Sequence, residues 1–198
     1  MSQQAQDDHY GSRAAAAMDY AAAVNEELKD LIAAGADVVQ LDEPYMQARP
    51  EEANEYGLEA LNRALDGIDS KTCVHICFGY AALIHARPEG YSYLPQLAGA
   101  CCQQISIETA QSNLDCSVLE SLPDKDILLG VLDLSTHEVE SVDTIKARVL
   151  RALTYIDAER VVLAPDCGMK YLPPESAYGK LANMVAAAAE LRAEWAHR

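Results

Sequence analysis

No apolar run in this sequence approaches the roughly 18 residues that a membrane-spanning helix needs, so no bilayer span is expected. The first residues, Met1 to Arg13, are polar and lack the apolar stretch of a secretion signal. Basic residues are scarce: 15 Lys and Arg stand against 31 Asp and Glu, a formal net charge of −16. A surface of that sign repels phosphate backbones, and nucleic acid is not an expected partner. Internal repeats, low-complexity tracts and linker-like stretches are also missing. One domain over 1–198, led by a polar segment at 1–13, is the expectation, with a cytoplasmic address.

What is present is half apolar and 23% charged, the balance of a soluble globular chain with a sizeable core. Six cysteines occur, at Cys73, Cys77, Cys101, Cys102, Cys116 and Cys167. Without an export signal they read as reduced thiols, some of them metal ligands, rather than as three disulfides. Cys73, Cys101, Cys102 and Cys116 are expected to be buried apolar thiols.

The pattern alternates between helix and strand. A helix is predicted over Ala14–Ala34, with Gly35 as its stop. Strands are predicted at Val38–Leu41, Thr72–Ile76, Gln104–Ile107, Ile127–Leu132 and Arg160–Leu163. Between and after them lie helical stretches at Pro50–Leu65, Leu94–Cys101, Cys116–Ser121, Val142–Tyr155 and Pro174–Trp195. One helix followed by five strand–helix units means an α/β fold, either a doubly wound sheet or a barrel. The stretch Phe78–Tyr93 is expected to be a loop over a site.

All five strands end in polar or metal-capable residues: Asp42 and Glu43; His75 and Cys77; Glu108; Asp133; Asp166 and Cys167. In parallel α/β folds the ligand site lies beyond the carboxyl ends of the strands. A single Asp in such a place also serves as a helix cap or turn former, and that alternative stands for Asp133. The sharpest signal is His75-Ile76-Cys77. Residues i and i+2 of a strand point to one side, so an imidazole and a thiolate can reach one ion. Glu108 and Cys167 add a carboxylate and a second thiolate, a donor set suited to tetrahedral zinc. Read alone, Cys167 is equally a buried thiol and Glu108 a capping carboxylate. His85, Arg87 and His137 lie in loops, as substrate contacts or as solvated residues. Tyr80, Tyr91 and Tyr93 line a pocket or simply pack.

Four segments occur in order: Val39-Gln40-Leu41-Asp42-Glu43-Pro44, Val74-His75-Ile76-Cys77, Ile105-Ser106-Ile107-Glu108, and Ala164-Pro165-Asp166-Cys167-Gly168-Met169-Lys170. With them the chain resembles the C-terminal catalytic barrel of cobalamin-independent methionine synthase. The resemblance implies a (β/α)₈ barrel of the TIM type. This chain would hold a partial barrel, strands four to eight, without the first three. It implies zinc on His75, Cys77, Glu108 and Cys167, and substrate binding at Asp42 and Glu43. It implies methyl transfer from 5-methyltetrahydrofolate to the thiol of homocysteine, with Asp133 and His137 as catalytic residues. Ser135 occupies the family's histidine position, and His137 follows two residues later. Asp166 and Lys170 are expected to shape the last loop, where Lys170 is also placed to meet an acidic substrate group. Other methyl donors or electrophiles, and a non-catalytic zinc-binding fragment, are the alternatives. A complementary chain or self-association would supply the missing strands, unless the chain is a truncation or an open barrel.

Overall fold

A computed structural model describes residues 4–78, 90–112 and 114–196. Tyr80, His85, Arg87 and most of the expected loop at 78–93 fall outside the described residues. The elements are α1 (Arg13–Ala33), β1 (Val38–Asp42), α2 (Pro44–Ala48), α3 (Pro50–Glu52), α4 (Leu58–Ala64), β2 (Lys71–Ile76), β3 (Gln104–Glu108), β4 (Asp126–Leu132), α5 (Val142–Ala152), β5 (Val161–Pro165) and α6 (Pro174–Trp195). Short 3₁₀ turns at Leu94–Gly99, Cys116–Ser121 and Ala158–Arg160 complete it. No helix among the described residues is long and apolar enough to cross a membrane.

The strands are hydrogen-bonded in the order β1-β2-β3-β4-β5, the order of the chain. A doubly wound sheet reverses its order at a switch point. This sheet does not, and of the two architectures the alternation allowed, only the barrel-type winding remains. β1 pairs parallel with β2, and β4 parallel with β5. The chain clusters into two compact units. One holds residues 1–76, 92–105 and 121–125; the other holds 77–91, 106–120 and 126–198.

In the first unit Ser12 caps α1 by accepting the Ala15 N–H. Ala21, Asn25 and Leu28 form its buried face. The Asn25 amide donates to the carbonyls of Ala64 and Asp66, at 2.9 and 2.8 Å. It thereby satisfies carbonyls that the end of α4 leaves without a helical partner. The helix predicted over Pro50–Leu65 starts at its proline and is interrupted farther on. Pro50 has no N–H and disfavours a helical conformation at the residue before it. Arg49 accordingly sits at φ −139°, between α2 and α3. A π-helical turn then spans Ala53–Gly57, where the buried Tyr93 hydroxyl donates to the Ala53 carbonyl at 2.9 Å. A separate turn at Pro44–Ala48 was not predicted.

One cysteine departs from expectation. Cys73, Cys102 and Cys116 are buried, but Cys101 is exposed. The chain leaves the 3₁₀ turn extended at Ala100, and alternate residues then face opposite sides: Ala100, Cys102 and Gln104 inward, Cys101 and Gln103 outward. Burial pushes the Cys73 thiol up to about 12 and the Cys102 thiol up to about 11.

In the second unit Ile127, Leu129, Val131 and Leu132 of β4 are fully buried, and Ile145 and Val149 of α5 add to the same core. The β4–β5 register shifts by one residue between Gly130 and Leu132. Such an irregularity bends a strand and re-aims the side chains beside it. The Asp166 N–H carries the pairing on, to the Leu132 carbonyl at 3.2 Å.

Candidate metal centre

Each strand delivers its candidate residue at its carboxyl end. In the first unit the register sets Asp42 beside His75, and the Glu43 N–H donates to the His75 carbonyl at 2.8 Å. His75 is buried, the penultimate residue of β2. Asp42 is exposed and accepts from the Gln40 side chain at 2.9 Å. Burial, and then the charge of Asp42, raise the Glu43 carboxyl above its ordinary value. Both acids line a cavity of about 370 Å³ with Tyr45, Glu52 and Tyr56.

In the second unit three candidates converge. Cys77 follows β2 directly, Glu108 closes β3, and Cys167 follows β5 by two residues. Their ligand atoms lie within 4.8 Å of one another. The two sulfurs are 3.3 Å apart. Two thiolate sulfurs each about 2.3 Å from a tetrahedral ion stand about 3.8 Å from each other, so this pair parts by about half an ångström to share one metal. Glu108 is almost fully buried. Its Oε1 accepts the Phe78 N–H at 2.8 Å, while its own N–H donates to the Tyr91 hydroxyl at 2.8 Å. Tyr91 stacks on Phe78 with ring centres 4.4 Å apart, closing an apolar wall beside the carboxylate. Burial, and then the Glu108 charge, push the Tyr91 phenol well above its ordinary value. Two thiols and a buried carboxylate at this spacing form a site that can hold a soft divalent ion.

Asp133 follows β4 and makes a tight local turn. Its Oδ1 accepts the Ser135 N–H at 2.8 Å and the Ser135 hydroxyl at 2.6 Å. Its backbone is held at both the N–H and the carbonyl. The N–H donates to Glu140 at 2.7 Å, and the carbonyl accepts from Lys180 at 2.9 Å. His137 is exposed. Lys170 is exposed and lies over the Tyr171 ring, 5.3 Å from its centre.

Sequence reasoning left several contacts unseen. Nothing in the spacing marks Glu140 and Lys180 as partners of Asp133. Asp166, a strand-end acid expected to shape the last loop, is almost fully buried and receives three backbone amides from another strand end. Burial pushes its carboxyl up to about 6, against amides that favour the charge.

The family model for the catalytic domain of the cobalamin-independent synthase matches residues 3–190. A methionine synthase of Pyrococcus furiosus is 36% identical over 188 residues, which are 94% of this chain and 53% of that protein. One of Sulfolobus acidocaldarius is 32% identical over 179 residues, 90% of this chain and 50% of that protein. A solved B12-independent methionine synthase from Shewanella sp. W3-18-1, in complex with selenomethionine, superposes with a TM-score of 0.91 at 31% identity. It covers 97% of this chain and 59% of that one. The chain therefore spans about half the length of the curated relatives it matches. The expected winding, the strand-end residues and these likenesses agree, and the chain belongs to the cobalamin-independent methionine synthase family.

Proposed function

We propose that this chain forms the metal-bearing part of a zinc-dependent thiol methyltransferase. The reaction would move a methyl group from a 5-methyltetrahydrofolate-type donor to the sulfur of homocysteine, giving methionine. The observation that carries this reading is the gathering of the Cys77, Glu108 and Cys167 donor atoms within 4.8 Å. His75 is assigned as the fourth ligand, because strand alternation turns it to the same side as Cys77. When bound, zinc lowers the pKa of a coordinated thiol, so that a substrate sulfur is a nucleophilic thiolate at neutral pH.

The chain's own residues then divide the work. Cys77 and Cys167 supply soft, charged donors. Glu108, tied through one oxygen to the Phe78 N–H, is the ligand able to withdraw when a substrate sulfur arrives. Asp42, in register with His75, is assigned to hold the amino group of an amino-acid thiol, with Glu43 beside it. Asp133 stands at the neighbouring strand end with a rigid peptide, and His137 is the candidate proton carrier. The relatives are about twice as long, so the donor surface is assigned to family-domain residues beyond this span, in the same polypeptide or in a partner chain. A cytoplasmic address suits reduced thiolate ligands.

A second reading keeps the thiol acceptor but changes the methyl donor. It draws on Ser135, which stands where the family has histidine and is committed to Asp133 through its hydroxyl.

The test is metal analysis followed by X-ray absorption on the zinc-loaded chain. About one zinc per chain is expected, with a further sulfur neighbour appearing on addition of homocysteine. A metal-replete preparation holding essentially no zinc would sink the reading. An unchanged sulfur count would remove the thiol-binding step.

A further inference from the structure

We propose that Asp166 is a positioning residue for the metal centre, a buried carboxylate that ties the segment leaving Glu108 to the segment bearing Cys167. The inference rests on the metal-centre reading above and adds to it a residue that is not itself a ligand.

An aspartate that only shapes a turn bonds amides two or three residues ahead of itself. Asp166 does something else. Its Oδ1 accepts the N–H groups of Thr109 and Ala110, at 3.2 and 3.0 Å, and its Oδ2 accepts that of Gln111 at 2.7 Å. These three consecutive amides follow Glu108 directly and lie more than fifty residues away in sequence. Hydrogen bonds to an ionised acceptor are about twice as strong as neutral ones.

The surroundings are built around this carboxylate. A Cβ on Gly130 would stand 2.4 Å from Asp166 Oδ1, so the glycine leaves the space that the carboxylate fills. Thr109 is also fixed from two other sides: its hydroxyl donates to the Gly130 carbonyl at 2.7 Å, and its carbonyl accepts from Arg151 at 3.1 Å. Glu108 precedes this pinned segment by one residue, and Cys167 follows Asp166 by one. A single side chain thus sets the spacing between a carboxylate ligand and a thiolate ligand.

The experiment compares zinc affinity, by competition with a chromophoric chelator, in the reduced wild-type chain, Asp166→Asn and Gln111→Pro. Asparagine turns an NH₂ toward one of the amides; proline removes the donor of the shortest bond. Both variants are expected to bind zinc roughly 10- to 100-fold more weakly, the usual cost of losing a residue that orients a ligand. A second readout separates positioning from plain stability. In the cobalt-loaded forms the d–d bands are expected to shift, while the thiolate-to-cobalt charge-transfer band persists because both cysteines remain. Wild-type zinc affinity in Asp166→Asn would overturn the proposal, and so would an unchanged cobalt spectrum. Circular dichroism showing both metal-free variants unfolded would overturn it too, by assigning Asp166 to the fold alone. A wild-type chain that binds no zinc would instead remove the metal-centre reading itself.

Discussion

Lys180 reaches Glu140 through a 2.8 Å ion pair, and the lysine side chain is completely buried. Arg148 approaches the other Glu140 oxygen at 3.0 Å. Glu140 and Lys180 also hold the N–H and the carbonyl of Asp133. Removing one partner of a buried pair costs about 3–5 kcal/mol when the other charge is left alone; Arg148 still faces Glu140 here, so the lower end applies. Lys180→Met is therefore expected to destabilise the chain by about that amount. Urea denaturation followed by circular dichroism checks it, and a loss below about 1 kcal/mol would mean that the pair is solvated.

The same cluster sets an acid limit. Burial alone would raise the Glu140 carboxyl, but Lys180, the backbone amides and Arg148 outweigh it and hold the group below its ordinary 4.5. A depressed carboxyl contributes stability that is complete above the unfolded-state value and is lost as pH falls through the folded-state value. The stability gap between wild type and Glu140→Gln is expected to be full near neutrality and to narrow as pH falls below the ordinary carboxyl value of 4.5. Melting temperatures of the two proteins from pH 7 to pH 3 measure it, and a constant gap across that range would contradict the assignment.

Cys77→Ser and Cys167→Ser should each remove tight zinc binding, with affinity falling by roughly a hundredfold or more. Chelator competition on the reduced proteins gives the number. Full affinity in both variants would show that this pair of sulfurs is not the soft half of the site.

Tyr93→Phe deletes the hydroxyl that donates to Ala53 within the π turn. An apolar edge in its place leaves a buried carbonyl short of a partner, a loss of about 1 kcal/mol. Hydrogen exchange of the amides at 53–58 is expected to quicken locally; uniform exchange across α4 and the turn would instead place the effect in packing.

Much of the scaffold could be read in the residues. The strands showed because each is a short apolar run ending in a charged or metal-capable residue, and His75-Ile76-Cys77 alone marked β2 as the bearer of a candidate ligand pair. Alternation alone did not choose between the winding patterns, which only the pairing order separates; the barrel came from the resemblance carried by the strand-end motifs. Asp166 escaped for a related reason. Its partners Thr109, Ala110 and Gln111 are backbone amides, which leave no trace in side-chain identity. Gly130 carried the one local hint, a glycine inside a strand, which marks a bulge or a close approach without naming the neighbour. The Pro44–Ala48 turn was hidden by a proline that reads equally as a strand end and as the first residue of a helix.

The order β1-β2-β3-β4-β5 has a consequence for synthesis on the ribosome. Val38 meets Lys71 and Ile127 meets Val161 across spans of about thirty residues, so the loops closed at the two ends of the series carry similar entropic costs. Each new strand is placed next to the one made before it, and none has to insert between two that are already paired. Assembly can therefore keep pace with the emerging chain, and the proposed ligands follow the same sequence. Cys167, beyond β5, arrives after Cys77 and Glu108 and completes the proposed donor set.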